Sequence, residues 1–410
     1  MTEESIIRLS SSGEISGPTI RPSSSKSESN RSLIINALSG NLGTIHNLSD
    51  ARDTQTMKKL LSSDKSTLDV LDAGTTMRFL TAYLAVTVKD GVILTGSERM
   101  QERPIKILVE ALNSLGASIE YERNEGYPPL IIKPFKGQST NKLKIPSNIS
   151  SQYISALLMV APTLTEGLTI NLVGEVFSRP YIKMTLALME KFGINHRWEG
   201  NEIRIRPQPY NAGEYTIESD WSGASYWYGF TSLAKKAEIT IDGVRQTSYQ
   251  GDRVVADIMD ELGVKSDFGN DKVIISKKAP KNELSMDFKQ CPDLSLTVLV
   301  AAAANKVPMR ITGLESLKIK ETDRVAALQN ELGKVGTRLI EHSENSWELD
   351  PSSFELEPDT VFETYDDHRM AMAFAPLSMI APIRIKDPAV VNKSYPGFWD
   401  DINKIGVSVQ

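Results

Sequence analysis

The sequence predicts an α/β protein made by internal duplication, with helices inside and sheets outside, and three observations predict it. Six short polar clusters each open a strongly apolar stretch of helical length. Between them recurs a second element, a strand followed by a polar loop, an amphipathic helix ending in Gly, and another strand. The 410 residues, 40% hydrophobic and 24% charged, have an ordinary globular composition and enough length for two domains that each bury a core.

The six clusters come first. Ser27-Glu28-Ser29-Asn30-Arg31 leads into SLIINAL, Gly74-Thr75-Thr76-Met77-Arg78 into FLTAYLAV, and Ser150-Ser151-Gln152 into YISALLMVA. Ser222-Gly223-Ala224-Ser225 leads into YWYGFTSLA, Pro292-Asp293 into LSLTVLVAAAA, and Asp367-His368-Arg369 into MAMAFAPLSMIA. Helices that are apolar all round belong in interiors. Their N-termini carry unpaired N–H groups and the positive end of the helix dipole, so each is a site for an anion. Six such ends suggest a shared anion-binding surface.

The recurring strand–helix–strand element is clearest where its glycines pair as Gly96 and Gly116, Gly174 and Gly193, Gly243 and Gly263, and Gly313 and Gly333, spaced 20, 19, 20 and 20 residues. Weaker copies lie at residues 45–63 and in the stretch that ends at Gly406. Such register marks duplication. Each closing Gly is expected just past a helix end, in the left-handed conformation. In the copy at 105–115, Ile105, Leu108, Val109, Leu112 and Leu115 keep the 3.6-residue spacing of a half-buried helix. The pattern gives the layering, but leaves open whether the units group three plus three or two plus four.

Composition excludes several classes. A net charge of −6 disfavours nonspecific nucleic-acid binding. The single Cys291 rules out an intrachain disulfide framework and fits a reducing compartment. The start, MTEESIIRLSSSGEIS, lacks the basic and apolar regions of a signal peptide. The longest apolar runs fall short of the roughly 18–20 residues that span a bilayer. A soluble cytoplasmic protein with no nucleic-acid or membrane partner is expected.

Candidate chemistry lies in the polar clusters. Ser23–Arg31 brings hydroxyls, Lys26 and Arg31 to a helix start, the parts that hold a phosphate or carboxylate. Gly74 lets an anion approach the backbone, with Arg78 one turn on. Arg103 precedes a Pro suited to a first helical position. Lys320-Glu321-Thr322-Asp323-Arg324, read as a helix start, sets Lys320 and Arg324 on one face beside Glu321. Asp293 reads either as an N-cap or as a base with a raised pKa. Taken singly, each has a plainer reading as a cap, a turn or a solvated charge, and Lys393 alone would be an ordinary surface lysine. Together, Lys26, Arg31, Arg78, Arg103, Lys320, Arg324, Arg369 and Lys393 fall at the same end of their units, a concentration of charge that calls for anionic ligands. Two phosphates at about −1.5 to −2 each, with two carboxylates, would match them.

The motifs SKSxSNR, AGTxMRFL, RMxERP, SSQYxSALLM, SRPYIxMT, DWSxASYW, KETDR and DHRMAMA occur in this order. On them the chain resembles the 5-enolpyruvylshikimate-3-phosphate synthase family, the 3-phosphoshikimate 1-carboxyvinyltransferases, from Ser23 to Pro396. The resemblance implies two domains in an inside-out, barrel-like α/β fold, each of three βαβαββ-type units with buried helices. It places residues 20–219 in the first, and residues 1–19 with 220–410 in the second. The expected crossings lie near Thr19–Pro22 and Glu218–Trp221, and the domains are expected to close on substrate. It also implies a monomer that adds phosphoenolpyruvate to the 5-hydroxyl of 3-phosphoshikimate and loses phosphate, without metal or other cofactor. Ser27, Arg31, Ser150, Ser151, Gln152, Ser178, Tyr181, Asp293 and Lys320 would form the 3-phosphoshikimate shell. Gly74, Arg78, Arg103, Gln152, Arg324, Arg369 and Lys393 would form the phosphoenolpyruvate shell, with Lys26 in both. Asp293 would be the base on the attacking hydroxyl and Glu321 would handle the proton at the methylene carbon. Lys26 and Lys393 would protonate the leaving or bridging oxygen.

Four positions depart from the usual family pattern. Asp72 and Asp366 stand for Asn, Ser316 for an Asn that contacts the shikimate phosphate, and Phe79 for a common Pro. The nearest alternatives are the sister enzyme that transfers enolpyruvate to UDP-N-acetylglucosamine and a non-catalytic paralogue that only binds phosphorylated ligands. The sister enzyme's hallmark Cys is missing from the loop Gly96–Pro104, and Cys291 lies on another element. Phe79 is expected to shift the helix bearing Gly74 and Arg78 and so alter sensitivity to the phosphonate inhibitor glyphosate. Inhibition curves of the protein and its Phe79→Pro variant should therefore separate, and coincident curves would overturn this expectation.

Overall fold

The computed structural model describes residues 5–147, 150–343 and 345–410. The chain divides into two compact units, Met1–Ser24 with Glu218–Gln410, and Ser25–Ile217. The divisions thus fall after Ser24 and Ile217, where sequence reasoning put them after residues 19 and 219. The expected placement of residues 1–4 lies outside the described residues.

One chain path recurs in both units. In its plainest copy, strand Thr67–Asp69 leads into the buried helix Gly74–Thr87, and strand Val92–Thr95 then returns parallel to the first. Helix Lys106–Ser114 follows, and the hairpin of Ser118–Tyr121 and Leu130–Lys133 completes a sheet whose inner pairings are antiparallel. Strands Lys142–Pro146 and Leu168–Val173 with the hairpin His196–Glu199/Glu202–Ile205 repeat the path around helices Ser151–Val160 and Arg179–Lys191. The remaining copy of the 25–217 unit is cut short. Its parallel pair, Glu214–Thr216 and Thr44–His46, carries helices Lys26–Leu38 and Arg52–Leu61 but no hairpin. This is why the pattern at 45–63 is weak in the sequence.

The 218–410 unit has three full copies. Helix Trp221–Leu233 lies between the parallel strands Glu14–Ile20 and Lys236–Asp242, and helix Ser295–Ala304 between Leu284–Asp287 and Met309–Thr312. Helix His368–Phe374 lies between Thr360–Phe362 and Ile383–Lys386. The last copy lacks a fourth strand of its own, and Ile6–Ser10 supplies it, pairing with both Ile383–Lys386 and Ser408–Val409. The two N-terminal strands thus end the last copy and begin the first.

The cluster-led helices are the cores. In Ser295–Ala304 every side chain through Ala303 is buried, and each Leu or Val so placed contributes about 1.5–3 kcal/mol. The helices after the second strand are half-buried: Leu108, Val109, Ala111 and Leu112 face inward while Lys106 and Glu110 are exposed. The α/β class with buried helices read from the sequence is the one the structure has. Gly116, Gly193 and Gly263 take the left-handed φ expected past a helix end, and a Cβ on Gly116 would lie 2.1 Å from the Gly137 carbonyl oxygen. Gly333 does not: its helix runs through it, and the left-handed residue is Gly336, where Thr337 N–H donates back to the Leu332 carbonyl at 3.0 Å. The spare Lys334-Val335 turn is what moved the stop. Among the described residues no helix is long and apolar enough to cross a membrane.

Glu218 opens the return into the 218–410 unit and is 3% exposed. Its carboxylate accepts the Trp221 indole N–H at 2.8 Å, the Arg245 backbone N–H at 2.7 Å and the Ser248 hydroxyl at 2.6 Å. Burial raises its pKa, and these donors only partly offset that. A carboxyl with a raised folded pKa holds a proton that the unfolded chain has already lost. Stability therefore falls as pH rises from the ordinary glutamate range (about 4.3) through the folded value. In pH-dependent unfolding, Glu218→Gln should lose this decline; an unchanged pH dependence would remove Glu218 from the account.

Candidate active site

In the 218–410 unit the polar helix starts and the loops beside them converge on one guanidinium. Arg324, first residue of helix Arg324–Gly333, is 1% exposed. Its Nε donates to Asp367 Oδ2 at 2.6 Å and its Nη2 to Asp367 Oδ1 at 3.2 Å. Its Nη1 donates to Asp293 Oδ1 at 2.8 Å, and Nη2 also reaches Glu321 Oε2 at 2.9 Å. Around this hub Arg369 Nη2 lies 3.1 Å from Asp293 Oδ2, Lys320 Nζ 3.5 Å from Asp293 Oδ1, and Lys393 Nζ 3.7 Å from Glu321 Oε1. Four of the eight cations are thus matched by three carboxylates. The sequence argument that so much positive charge requires anionic ligands is corrected for this unit, because the protein supplies its own.

Three further expectations change. Lys320 is not on a helical face with Arg324; it is extended, ahead of the helix, and reaches Asp293 from the loop. Asp293 is not an N-cap: it lies in the short turn Pro292–Leu294 with no capping bond. Nor is its pKa raised. Burial pushes it up, but Arg369, Lys320 and Arg324 outweigh burial and hold the carboxyl well below the usual range. Asp367 was missed by sequence reasoning, which saw only a cap. It does accept the Arg369 backbone N–H at 2.9 Å, and it also holds Arg324. The adjoining Asp366 has φ +54, a conformation that Asp and Asn tolerate best after Gly, which accounts for the exchange of one for the other there.

The 25–217 unit carries the other four cations. Lys26, first in its helix, holds Asp53 Oδ2 at 3.0 Å, and the Asp53 carbonyl accepts the Thr76 hydroxyl at 3.3 Å. Asp53, 2% exposed, is a second residue the sequence reading missed; only its place in the weak repeat copy marked it. Arg31 donates to Thr185 Oγ1 at 2.7 Å, to the Ser27 carbonyl at 2.9 Å and to Ser155 Oγ at 3.4 Å. Burial lowers its guanidinium to about 10, against the pull of Tyr181 and Glu28. It lies 5.2 Å from the centre of the Phe79 ring. Phe79 is fully buried inside helix Gly74–Thr87, so a Pro there also removes a helical hydrogen bond.

Gly74, Arg78, Arg103 and Gln152 are brought together. Arg78 donates to the carbonyls of Gly74 at 3.2 Å and Pro104 at 3.1 Å, and Gln152 to Thr75 Oγ1 at 3.1 Å. The Arg103 guanidinium packs on Gly74 so closely that an added Cβ would meet Nη1 at 2.8 Å. Ser150 caps the Gln152 N–H at 3.4 Å, and Ser151 is buried. Ser178 precedes helix Arg179–Lys191 with a left-handed φ of +51 and makes no capping bond; the Tyr181 carbonyl accepts the Thr185 hydroxyl. Both oxygens of Asp72, one of the residues standing for Asn, accept from Arg52 Nη2 at 2.8 Å. Cys291 is buried, and burial with Asp252, Asp287 and Asp293 nearby pushes its thiol far up, the reverse of a reactive cysteine.

Each unit thus gathers cations, helix starts and hydroxyls, and the 218–410 unit adds carboxylates within reach of the same cations. Such a set can hold phosphate and carboxylate groups and move protons beside them. A family model described as EPSP synthase (3-phosphoshikimate 1-carboxyvinyltransferase) matches residues 58–402. A 3-phosphoshikimate 1-carboxyvinyltransferase of Bacteroides fragilis is 48% identical over 96% of both chains. One from Haemophilus influenzae is 36% identical over 94% of this chain and 96% of its own. Among solved structures, EPSP synthase from Acinetobacter baumannii has the same fold, with TM-score 0.76 at 19% identity over 99% of each chain. The enolpyruvyl transferase NikO from Streptomyces tendae is similar in fold at TM-score 0.73 and 13% identity, over 99% of this chain and 98% of that one. The chain belongs to the EPSP synthase (3-phosphoshikimate 1-carboxyvinyltransferase) family.

Proposed function

We propose that this enzyme transfers the enolpyruvyl group of phosphoenolpyruvate to the 5-hydroxyl of 3-phosphoshikimate and releases inorganic phosphate, a step toward chorismate and the aromatic amino acids. The carrying observation is Asp293, a carboxylate clamped by Arg324, Arg369 and Lys320. The two units are read as the two enolpyruvyl transferase domains, and a cytoplasmic monomer working without metal or organic cofactor fits the reading. Lys26, Ser27, Arg31, Ser150, Ser151, Gln152, Ser178, Tyr181, Asp293 and Lys320 serve 3-phosphoshikimate. Lys26, Gly74, Arg78, Arg103, Gln152, Arg324, Arg369 and Lys393 serve phosphoenolpyruvate.

The depressed pKa of Asp293 gives the mechanism its order. With its cations around it, the carboxylate is ionised and a poor base. Substrate phosphate and carboxylate groups compete for those cations, and as they draw Arg324, Arg369 and Lys320 away, Asp293 becomes more basic. It then takes the proton of the 5-hydroxyl while that oxygen bonds to C2 of phosphoenolpyruvate. Glu321 delivers a proton to the methylene C3, giving a tetrahedral adduct that holds both phosphates. The adduct collapses by losing a proton from C3 as the bond from C2 to the phosphate oxygen breaks, and Lys26 or Lys393 protonates the departing oxygen. The base is thereby kept weak until both anions are bound.

Removing that base should cost about 10²–10⁴-fold in kcat. Asp293→Ala should therefore release almost no phosphate from the substrate pair while keeping a cooperative unfolding transition, and near-normal release would strike Asp293 from the mechanism. Gly74→Ala adds the Cβ that meets the Arg103 guanidinium. It should raise KM for phosphoenolpyruvate about tenfold, equal to ~1.4 kcal/mol, with a much smaller effect on KM for 3-phosphoshikimate. An unchanged KM for phosphoenolpyruvate would mean that Arg103 does not serve that ligand.

A further inference from the structure

Helix Arg324–Gly333 grips the segment ahead of Arg369 at two points. At its start Arg324 holds Asp367. Two turns on, and so on the same face, stands Glu331, a carboxylate with 0% exposure and no place in the proposed reaction. Its Oε2 accepts the Glu363 backbone N–H at 3.0 Å and the Lys334 ammonium at 2.7 Å, and its Oε1 accepts the Tyr365 hydroxyl at 2.7 Å. Residues 363, 365 and 367 are thus held in alternation by one helix.

Between the two grips lies strained backbone. Tyr365 and Asp366 both have left-handed φ, +53 and +54. Two successive residues without glycine's freedom keep that conformation only where the surroundings enforce it. A turn from Asp367 N–H to the Thr364 carbonyl, 2.8 Å, then sets the start of helix His368–Phe374 and with it Arg369. A buried carboxylate is a poor way to gain stability when an apolar side chain of similar size would serve, so its bonds point to specifying a path.

We propose that Glu331 and Tyr365 are positioning residues for phosphoenolpyruvate: by fixing the left-handed pair Tyr365-Asp366 they set where Asp367 and Arg369 stand. This rests on the proposed function, which gives Arg369 to that ligand. Burial and Glu331 push the Tyr365 hydroxyl up to about 12, so it remains a donor throughout the working range of pH.

The test is steady-state phosphate release by the full-length protein, with both KM values, kcat and the thermal midpoint measured for Tyr365→Phe, Glu331→Ala and Glu331→Gln. Tyr365→Phe removes one partly buried hydrogen bond and should raise KM for phosphoenolpyruvate about fivefold, leaving KM for 3-phosphoshikimate within about twofold and the protein folded. Glu331→Ala should do the same or more, and Glu331→Gln, which keeps an acceptor and the shape, should recover most of the loss. A fall in thermal midpoint with both KM values unchanged, or both rising together, overturns the proposal. If the wild-type protein releases no phosphate, the functional reading has failed. Calorimetric titration with phosphoenolpyruvate then decides the inference separately: weaker binding by Tyr365→Phe supports it, and equal affinity overturns it.

Discussion

The buried guanidinium of Arg324 is the interaction on which the 218–410 unit is organised. A single charge with 1% exposure can be held only if its surroundings neutralise it and take up its N–H groups. Asp293, Glu321 and Asp367 do both, and they come from three different stretches of chain. Burial alone works against the charge, yet the three carboxylates hold Arg324 above its ordinary range. The turn at Pro292–Leu294, the loop at Lys320–Asp323 and the start of helix His368–Phe374 must therefore fold into register with one another. A chain that has made this cluster has also brought its candidate base, its candidate acid and the two arginines proposed for phosphoenolpyruvate to one place.

The 25–217 unit solves the same problem with a different chemistry. There Arg31 donates to two hydroxyls and a carbonyl, and Arg78 donates to two carbonyls. Lys26 pairs with the buried carboxylate of Asp53, and the buried Glu28 acts on Arg31. Neutral partners leave more of the positive charge available to an incoming anion than carboxylates do. The two units, alike in chain path, thus differ in how particular cations are held: Arg31 and Arg78 donate to neutral oxygens, whereas Arg324 and Arg369 donate to carboxylates.

Much of this was legible in the sequence because duplication is a pattern property. Apolar stretches such as Ser295–Ala304 and glycines such as Gly116 and Gly193 keep their meaning wherever they sit, so layering and helix ends could be read locally. The eight cations from Lys26 to Lys393 were read from the polar clusters and the resemblance gave them roles, and the structure gathers Lys320, Arg324, Arg369 and Lys393 about Asp293 and Glu321. What could not be read was partnership. Asp72 stood out only as a replacement for Asn, and nothing local says that Arg52, 20 residues earlier, bonds both its oxygens. Asp293 looked like a cap or a base of raised pKa, and only the side chains of Arg324, Arg369 and Lys320 reverse the sign. Asp53 and Asp367 matter because of what they hold, and a single sequence does not state which distant residue a carboxylate holds. The helix stop expected at Gly333 failed for a local reason, since a second glycine three residues later offers a better one.

The N-terminal strands carry a consequence for how the molecule is made. Ile6 pairs with Lys386, a separation of 380 residues (386 − 6). During synthesis this strand waits, unpaired, until the residues between it and Lys386 have emerged. The 25–217 unit, by contrast, holds all its pairing partners within its own span and can close while the rest is still being translated. Closure of the other sheet system, which also pairs Leu9 with Val409 (409 − 9 = 400 residues), spans the greatest sequence separation among the described strand pairings and is thus the entropically slowest. Until it forms, Ile6–Ser10 is an open edge that any other strand could capture, so the period between synthesis and that last pairing is when a newborn chain is most exposed to aggregation.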